Sequence, residues 1–140
     1  MEKEGKSGTV VLVETAAEQG LNGYDLKRAC YSYAKDNFQG KTFINKETGR
    51  TISVSRSGIG EWRAKSKSRE QILSIKILDK LLENACFDHE ADDEANRLDI
   101  EKIFYFKCPC VINFQKRKAV ITIRHIRNEG DKYYHHYLAT

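Results

Sequence analysis

Three histidines, an arginine and three tyrosines crowd two neighbouring segments near the end of the chain. Arg124 and His125 close the run Lys118-Ala-Val-Ile-Thr-Ile-Arg-His-Ile, and Tyr133-Tyr134-His135-His136-Tyr137 follows a few residues on. Cleavage of RNA without a metal needs such a set. A neutral imidazole takes the proton of the 2′-hydroxyl, a second acid protonates the leaving oxygen, and a cation stabilises charge at phosphorus. Histidine suits the first task because its unperturbed pKa lies near neutrality. His136, His125 and His135 are therefore candidate acids and bases, with Arg124 on the phosphate and Tyr134 beside them. Aromatic side chains here offer surfaces on which bases stack. The competing reading is that Tyr134 and His136 pack against a sheet with their polar tips hydrogen-bonded.

A second group is Ser55-Arg56-Ser57-Gly58-Ile59-Gly60, which leads to Arg63, Lys65, Lys67 and Arg69. Exposed backbone N–H groups beside cations suit a phosphate, which makes Arg56, Gly58, Arg63 and Lys65 candidate substrate-binding residues. The segment has no P-loop or dinucleotide spacing, and a plain connecting loop is the alternative. Cys108-Pro109-Cys110 lacks the second pair of ligands that a zinc site wants, so no metal is read, and no cofactor. The acidic run Asp88, His89, Glu90, Asp92, Asp93, Glu94 lacks EF-hand spacing and reads as a solvated loop. No serine-type triad is present.

The elements that must position these residues follow from periodicity. Residues 9–14 are a β-branched run, a short strand or N-terminal arm. Leu26, Ala29, Cys30, Tyr33 and Ala34 recur at helical spacing, predicting a helix over 24–37 capped by Asn22 or Asp25. Phe43-Ile44 and Ile52-Val54 flank Thr48-Gly49 as a hairpin. Ile72, Ile75, Leu78, Leu81, Leu82 and Ala85 predict a helix from Ser66 to about Phe87, capped by Ser66 or Ser68. Residues 88–100 read as a polar loop, and three β-rich runs close the chain. In the last hairpin, a turn at 128–131 sets Arg127 opposite Lys132. Ile121, Ile123 and His125 then oppose Leu138, His136 and Tyr134 on one face, with Thr122, Arg124 and Ile126 opposing Tyr137, His135 and Tyr133 on the other. A one-residue slip exchanges the faces. The expected fold class is α+β: two main helices packed on an antiparallel sheet of about four to five strands. One domain spans 24–140, and residues 1–23 form the arm or short strand.

Composition agrees with a globular chain: 40% apolar, 10% aromatic and 31% charged residues exclude collagenous, low-complexity and wholly disordered classes. No apolar run reaches the ~18 residues of a membrane span, and no signal peptide is evident. The expectation is a cytoplasmic protein with no membrane partner. The net charge of +4 is unevenly spread. Residues 41–80 and 101–140 are basic, and the acidic stretch 81–100 lies between them. Such basic surface favours a polyanion, RNA foremost.

Taken together, Phe43-Ile-Asn45-Lys-Glu-Thr-Gly49-Arg-Thr-Ile52-Ser-Val-Ser55, then Ser57-Gly-Ile-Gly60, the helix ending near Ala85 and Tyr133-Tyr-His-His-Tyr-Leu138 resemble a known family. It comprises phage-associated, nuclease-like domains grouped with barnase, EndoU, colicin and RelE toxins, often carried inside large polyvalent phage or mobile-element proteins. The resemblance covers residues 24–139. It implies an RNase-like fold of helices on an antiparallel sheet, activity on RNA, and roles for Asn45, Gly49, Gly58 and His136. His125, Arg124 and His135 come from the hairpin's geometry instead. His135 beside His136 leaves the catalytic histidine open, and no paired carboxylate stands out as another base. The expected function is thus a metal-independent, toxin-like endoribonuclease, with a cognate immunity or host protein as a second class of partner. The alternative is a non-catalytic module that binds nucleic acid or protein, as a phage effector or inhibitor does.

Overall fold

The computed structural model describes residues 8–140. Of the N-terminal arm, residues 1–7 therefore lie outside the described residues. The chain opens with strand β1 (Val10–Leu12), the short helix α1 (Ala16–Gln19) and helix α2 (Gly23–Asn37). Asn22 caps α2 by accepting from the Asp25 N–H at 2.8 Å, and Leu26, Cys30 and Ala34, four residues apart, line its buried face. Strands β2 (Thr42–Ile44) and β3 (Thr51–Ser53) form the expected hairpin. Its turn depends on Gly49, which sits at φ 76°, where a side chain is disfavoured.

Helix α3 (Arg56–Lys65) follows, then α4 (Arg69–Ser74), one 3-10 turn (Ile75–Ile77) and α5 (Leu78–Asn84). Ser68 caps α4 through the Gln71 N–H. The long helix expected over 66–87 is thus broken in its middle. There the Ser74 hydroxyl bonds back to the Gln71 carbonyl at 2.7 Å, a contact that bends helices. Strands β4 (Cys86–Ala91), β5 (Ile100–Ile112), β6 (Gln115–Ile126) and β7 (Gly130–Ala139) complete the chain.

The expected architecture is overturned. The sheet has seven strands in the order β1-β5-β6-β7-β3-β2, with β4 also on β5, and it is curled and mixed rather than an antiparallel sheet of four to five strands. β1 runs parallel to β5 and β3 parallel to β7. Two features hid this. Strand β4 (Cys86–Ala91) occupies residues expected as the end of a helix and the start of a polar loop, because its charged side chains mask alternation, and β1 is only three residues long. Parallel pairs join strands distant in sequence, which no local turn signal announces. Residues 55–60, expected as a connecting or phosphate-cradling loop, instead form the cap and first turns of α3. Ser55 caps that helix through the Gly58 N–H, and two glycines in its interior mask its propensity.

The helices cover one face of the sheet and bury Ile59, Trp62, Leu73, Leu78, Leu81 and Leu82 against Phe104, Phe106, Ile121, Ile123 and Tyr133. β3 pairs with β7 only at Asp131 and Lys132. Beyond that point the Gln71 carboxamide takes the ladder's place: Nε2 donates to the His136 carbonyl at 2.8 Å and Oε1 accepts from the Leu138 N–H at 3.1 Å.

A Cβ on Gly58 would stand 2.5 Å from the Tyr133 carbonyl oxygen and 2.9 Å from its ring, whereas one on Gly60 would meet nothing within 4 Å. Gly58→Ala is therefore expected to destabilise the domain by about 1–3 kcal/mol. Gly60→Ala is expected to stabilise it by about 0.5–1 kcal/mol through helix propensity. Urea unfolding midpoints check both; equal effects at the two positions would refute the close approach of α3 to β7.

Candidate functional site

The C-terminal hairpin does not pair in one continuous register. From Lys118↔Ala139 to Thr122↔His135 it follows one register; from Ile123↔Tyr133 to Ile126↔Gly130 it follows another. Tyr134 is the extra residue, a β-bulge. The bulge makes two consecutive inward positions, Tyr133 and His136, and turns Tyr134 and His135 away from the helices. Every expected cross-strand partner is displaced, with Ile121 opposing His136 rather than Leu138 and Arg124 opposing Lys132 rather than His135, although the expected faces hold for His135, His136, Tyr137 and Leu138. They are exchanged for Tyr133 and Tyr134, because the unpaired residue shifts the phase by one.

His136 is fully buried, at 0% exposure. Its Nδ1 lies 2.7 Å from Tyr133 Oη and its Nε2 2.7 Å from Ser74 Oγ. The Ser74 hydroxyl proton points to the Gln71 carbonyl, which also accepts from Trp62 Nε1 at 3.1 Å. The network therefore assigns the tautomer: Nε2–H donates to Ser74 and Tyr133 O–H donates to Nδ1. Burial, with a small contribution from His135, pushes the imidazole down to about 3. Burial likewise pushes the Tyr133 phenol well above its usual range. His136 is a neutral, fully buried and doubly hydrogen-bonded member of the core.

Asn45 is equally enclosed. Its Nδ2 donates to the Leu82 and Ala85 carbonyls at 2.9 and 2.8 Å, and its Oδ1 accepts from the Thr48 N–H and hydroxyl, both at 2.9 Å. It ties the β2–β3 turn to the end of α5. Gly58 serves the contact with Tyr133. Arg56 is exposed at the start of α3, and Arg63 lies over the Tyr31 ring at 4.3 Å, facing α2. Cys108 and Cys110 both face the core, and burial pushes the Cys108 thiol up to about 12.

His125 belongs to a separate cluster at the turn end of the sheet. Its Nδ1 is 2.6 Å from Asp131 Oδ1, and its Nε2 is 3.4 Å from Glu101 Oε1. Asp131 also takes Arg50 at 3.0 Å, and Arg50 lies over the Phe104 ring at 4.1 Å. The sequence reading missed Arg50, Glu101 and Asp131. Only Asp131, directly across the strand pair from His125, carried a signal, and the assumed turn at 128–131 concealed it.

The remaining candidates converge on the sheet face away from the helical core. The Arg124 guanidinium sits 3.4 Å from the centroid of the Tyr134 ring, while Lys65 donates to Tyr134 Oη at 3.4 Å and to Glu61 at 3.2 Å. His135, opposite Thr122, lies within the fields of Lys65 and Glu61. Burial, then Lys65, lowers its pKa below the ordinary value. Arg124 Nε and His135 Nδ1 are buried without partners among the described residues. Beside them opens a cleft of about 380 Å³, lined by Tyr105, Thr122, Arg124 and Tyr134 on the sheet and by Asp92, Asp93, Glu94 and Arg97 above it. Arg97 grips Asp93 at 2.7 and 3.0 Å and holds its carboxyl well below the usual range. His89 stacks on Tyr105, with ring centroids 4.7 Å apart, which extends the aromatic surface. Three candidate catalytic residues and one candidate binding residue thus share one site, and Tyr105, Thr122 and Arg97 join them.

The model of large polyvalent protein-associated domain 3 matches residues 22–134, most of the chain. The protein belongs to that phage-associated family. No curated protein and no solved structure matches it. Among the described residues no helix is long and apolar enough to cross a membrane.

The neutral core imidazole has a measurable consequence. An unfolded chain protonates His136 near ~6.5, but the folded one only at about 3. Its contribution to stability is complete above ~6.5 and is lost as pH falls towards the folded value. His136→Gln is expected to be less stable than wild type at pH ~7, and the gap in unfolding free energy is expected to narrow by pH ~4. A gap independent of pH would refute the neutral assignment.

Proposed function

We propose that the domain binds RNA on the sheet face around Arg124 and cleaves it without a metal, as a toxin or effector domain carried by a polyvalent protein does. The observation that carries this reading is the convergence of Arg124, Tyr134, His135 and Lys65 beside an aromatic-lined cleft. With its pKa held below the ordinary value, His135 is unprotonated at neutral pH and suited to take the 2′-hydroxyl proton. The 2′ oxygen then bonds to phosphorus as the bond to the 5′ oxygen breaks. A cyclic phosphate and a 5′-hydroxyl result. Arg124 and the Lys65 ammonium stabilise charge on the phosphoryl oxygens, and the leaving 5′ oxygen takes its proton from water. Tyr105 and Tyr134 offer ring surfaces to the flanking bases.

A second reading, binding without cleavage, is favoured by one observation. No carboxylate orients His135, whose Nδ1 has no partner among the described residues, although His125 has such a partner in Asp131.

Incubating the protein with mixed RNA and a chelator separates the two. Cleavage is expected, with products ending in cyclic phosphate, a loss of about 10²–10⁴-fold in His135→Gln, and wild-type rates in His125→Gln. Full activity in a folded His135→Gln protein would overturn the catalytic assignment. Binding with no product from wild type would leave the non-catalytic reading in its place.

A further inference from the structure

We infer that the groove between α2 and α3 is a second phosphate-binding site, which holds the backbone of single-stranded RNA away from the cleft. This rests on the reading of the domain as RNA-binding, and it adds a site that neither the cleft nor the family match accounts for.

The groove has a volume of about 540 Å³ and is lined by Tyr24, Lys27, Arg28, Gly60, Arg63 and Ala64. Its cations are placed against one another. Besides burial, the positive charges of Lys67 and Arg63 press the Lys27 ammonium below its ordinary pKa. Ten of the eighteen other described Lys and Arg residues meet carboxylates, among them Arg69 with Glu14, Lys76 with Glu18, Arg97 with Asp93, Arg117 with Glu70 and Arg127 with Glu101. Lys27, Arg28, Arg63 and Lys67 have no ion pair among the described residues. Like charges gathered in one concavity without a counter-charge raise the local potential, and a phosphate relieves it.

The aromatic residues suit a nucleic acid rather than a simple ion. Arg63 stacks on Tyr31 with its guanidinium 4.3 Å from the ring centroid, and Arg28 lies 5.8 Å from that of Tyr24. These contacts orient planar cations that bind phosphate through paired N–H groups. Tyr24 itself is 71% exposed and offers its ring to a base. Gly60 leaves the floor of the groove open, since a Cβ there would meet nothing within 4 Å. Helix α3 separates the groove from the cleft: Gly60 and Arg63 face α2, while Glu61 and Lys65 face Tyr134 and His135. A strand crossing the C-terminal end of α3 therefore passes Lys67 on its way from one site to the other.

The test measures fluorescence anisotropy with a labelled 2′-O-methyl RNA oligonucleotide across a salt series. This probe lacks the attacking hydroxyl, so binding is read independently of cleavage. For single strands each phosphate contact contributes about 0.7 to the slope of log affinity against log salt. Lys27→Gln combined with Arg63→Gln is expected to lower the slope by about 1.4. Lys116→Gln combined with Lys118→Gln removes the same charge from exposed positions of β6 and is expected to leave the slope unchanged. An unchanged slope in the groove variant, an equal drop in the β6 variant, or no binding by wild type would each overturn the groove assignment. RNA cleavage alongside an unchanged slope removes the groove and keeps the ribonuclease reading. A lowered slope without cleavage does the reverse.

Discussion

A single extra residue in β7 decides which side of the sheet each aromatic of the last hairpin occupies. Because Tyr134 has no partner on β6, Tyr133 and His136 both face the helices, close enough to bond at 2.7 Å. The same bulge turns Tyr134 and His135 to the opposite face, beside Arg124. Without it the alternation of the strand would place Tyr133 and His135 together, and neither the internal network nor the outer cluster could form.

The internal network then links three elements. Trp62 of α3, Gln71 and Ser74 of α4, and Tyr133 and His136 of β7 share one run of hydrogen bonds in which each polar tip has a partner. Buried polar groups of this kind are costly when left unpaired and specify one packing when satisfied. Gln71 adds a second constraint by closing the β7 edge where β3 ends. The close approach of α3 that this requires is possible only because residue 58 is glycine. The helix most weakly signalled by its sequence is thus held by tertiary contacts rather than by propensity.

Charge is distributed according to the same geometry. The acidic stretch between the two basic ones is largely occupied locally: Asp93 with Arg97, Asp92 with Lys102, Asp88 with Lys107. Pairing of this kind leaves the α2–α3 groove as a basic region without an ion pair among the described residues, whereas Asp92, Asp93 and Glu94 line the cleft beside Arg124. The net charge of +4 understates how concentrated the positive potential is, because long-range charge counts ignore which pairs the fold brings together.

Periodicity and turn chemistry determined α2, the β2–β3 turn at Gly49 and the three long C-terminal strands. These rest on contacts between residues close in sequence, or on alternation sustained over ten residues or more. The presence of reactive side chains near the C-terminus was equally visible. Their allocation was not. His136, Asn45 and Gly58 carried the family resemblance, and each proves to serve packing. Residue type alone cannot distinguish a buried imidazole with two hydrogen-bond partners from one facing a substrate. His125 acquired Asp131 and Glu101, and Arg124 acquired Tyr134 and Lys65, only when strands and helices came together. Seven strands rather than four or five arose because β4 formed in the acidic segment expected as a loop and β1 paired with β5, remote in the chain. The tertiary structure decided these matters because a bulge, a parallel pairing and a buried hydrogen bond are stabilised by groups distant in sequence, and no local pattern records them.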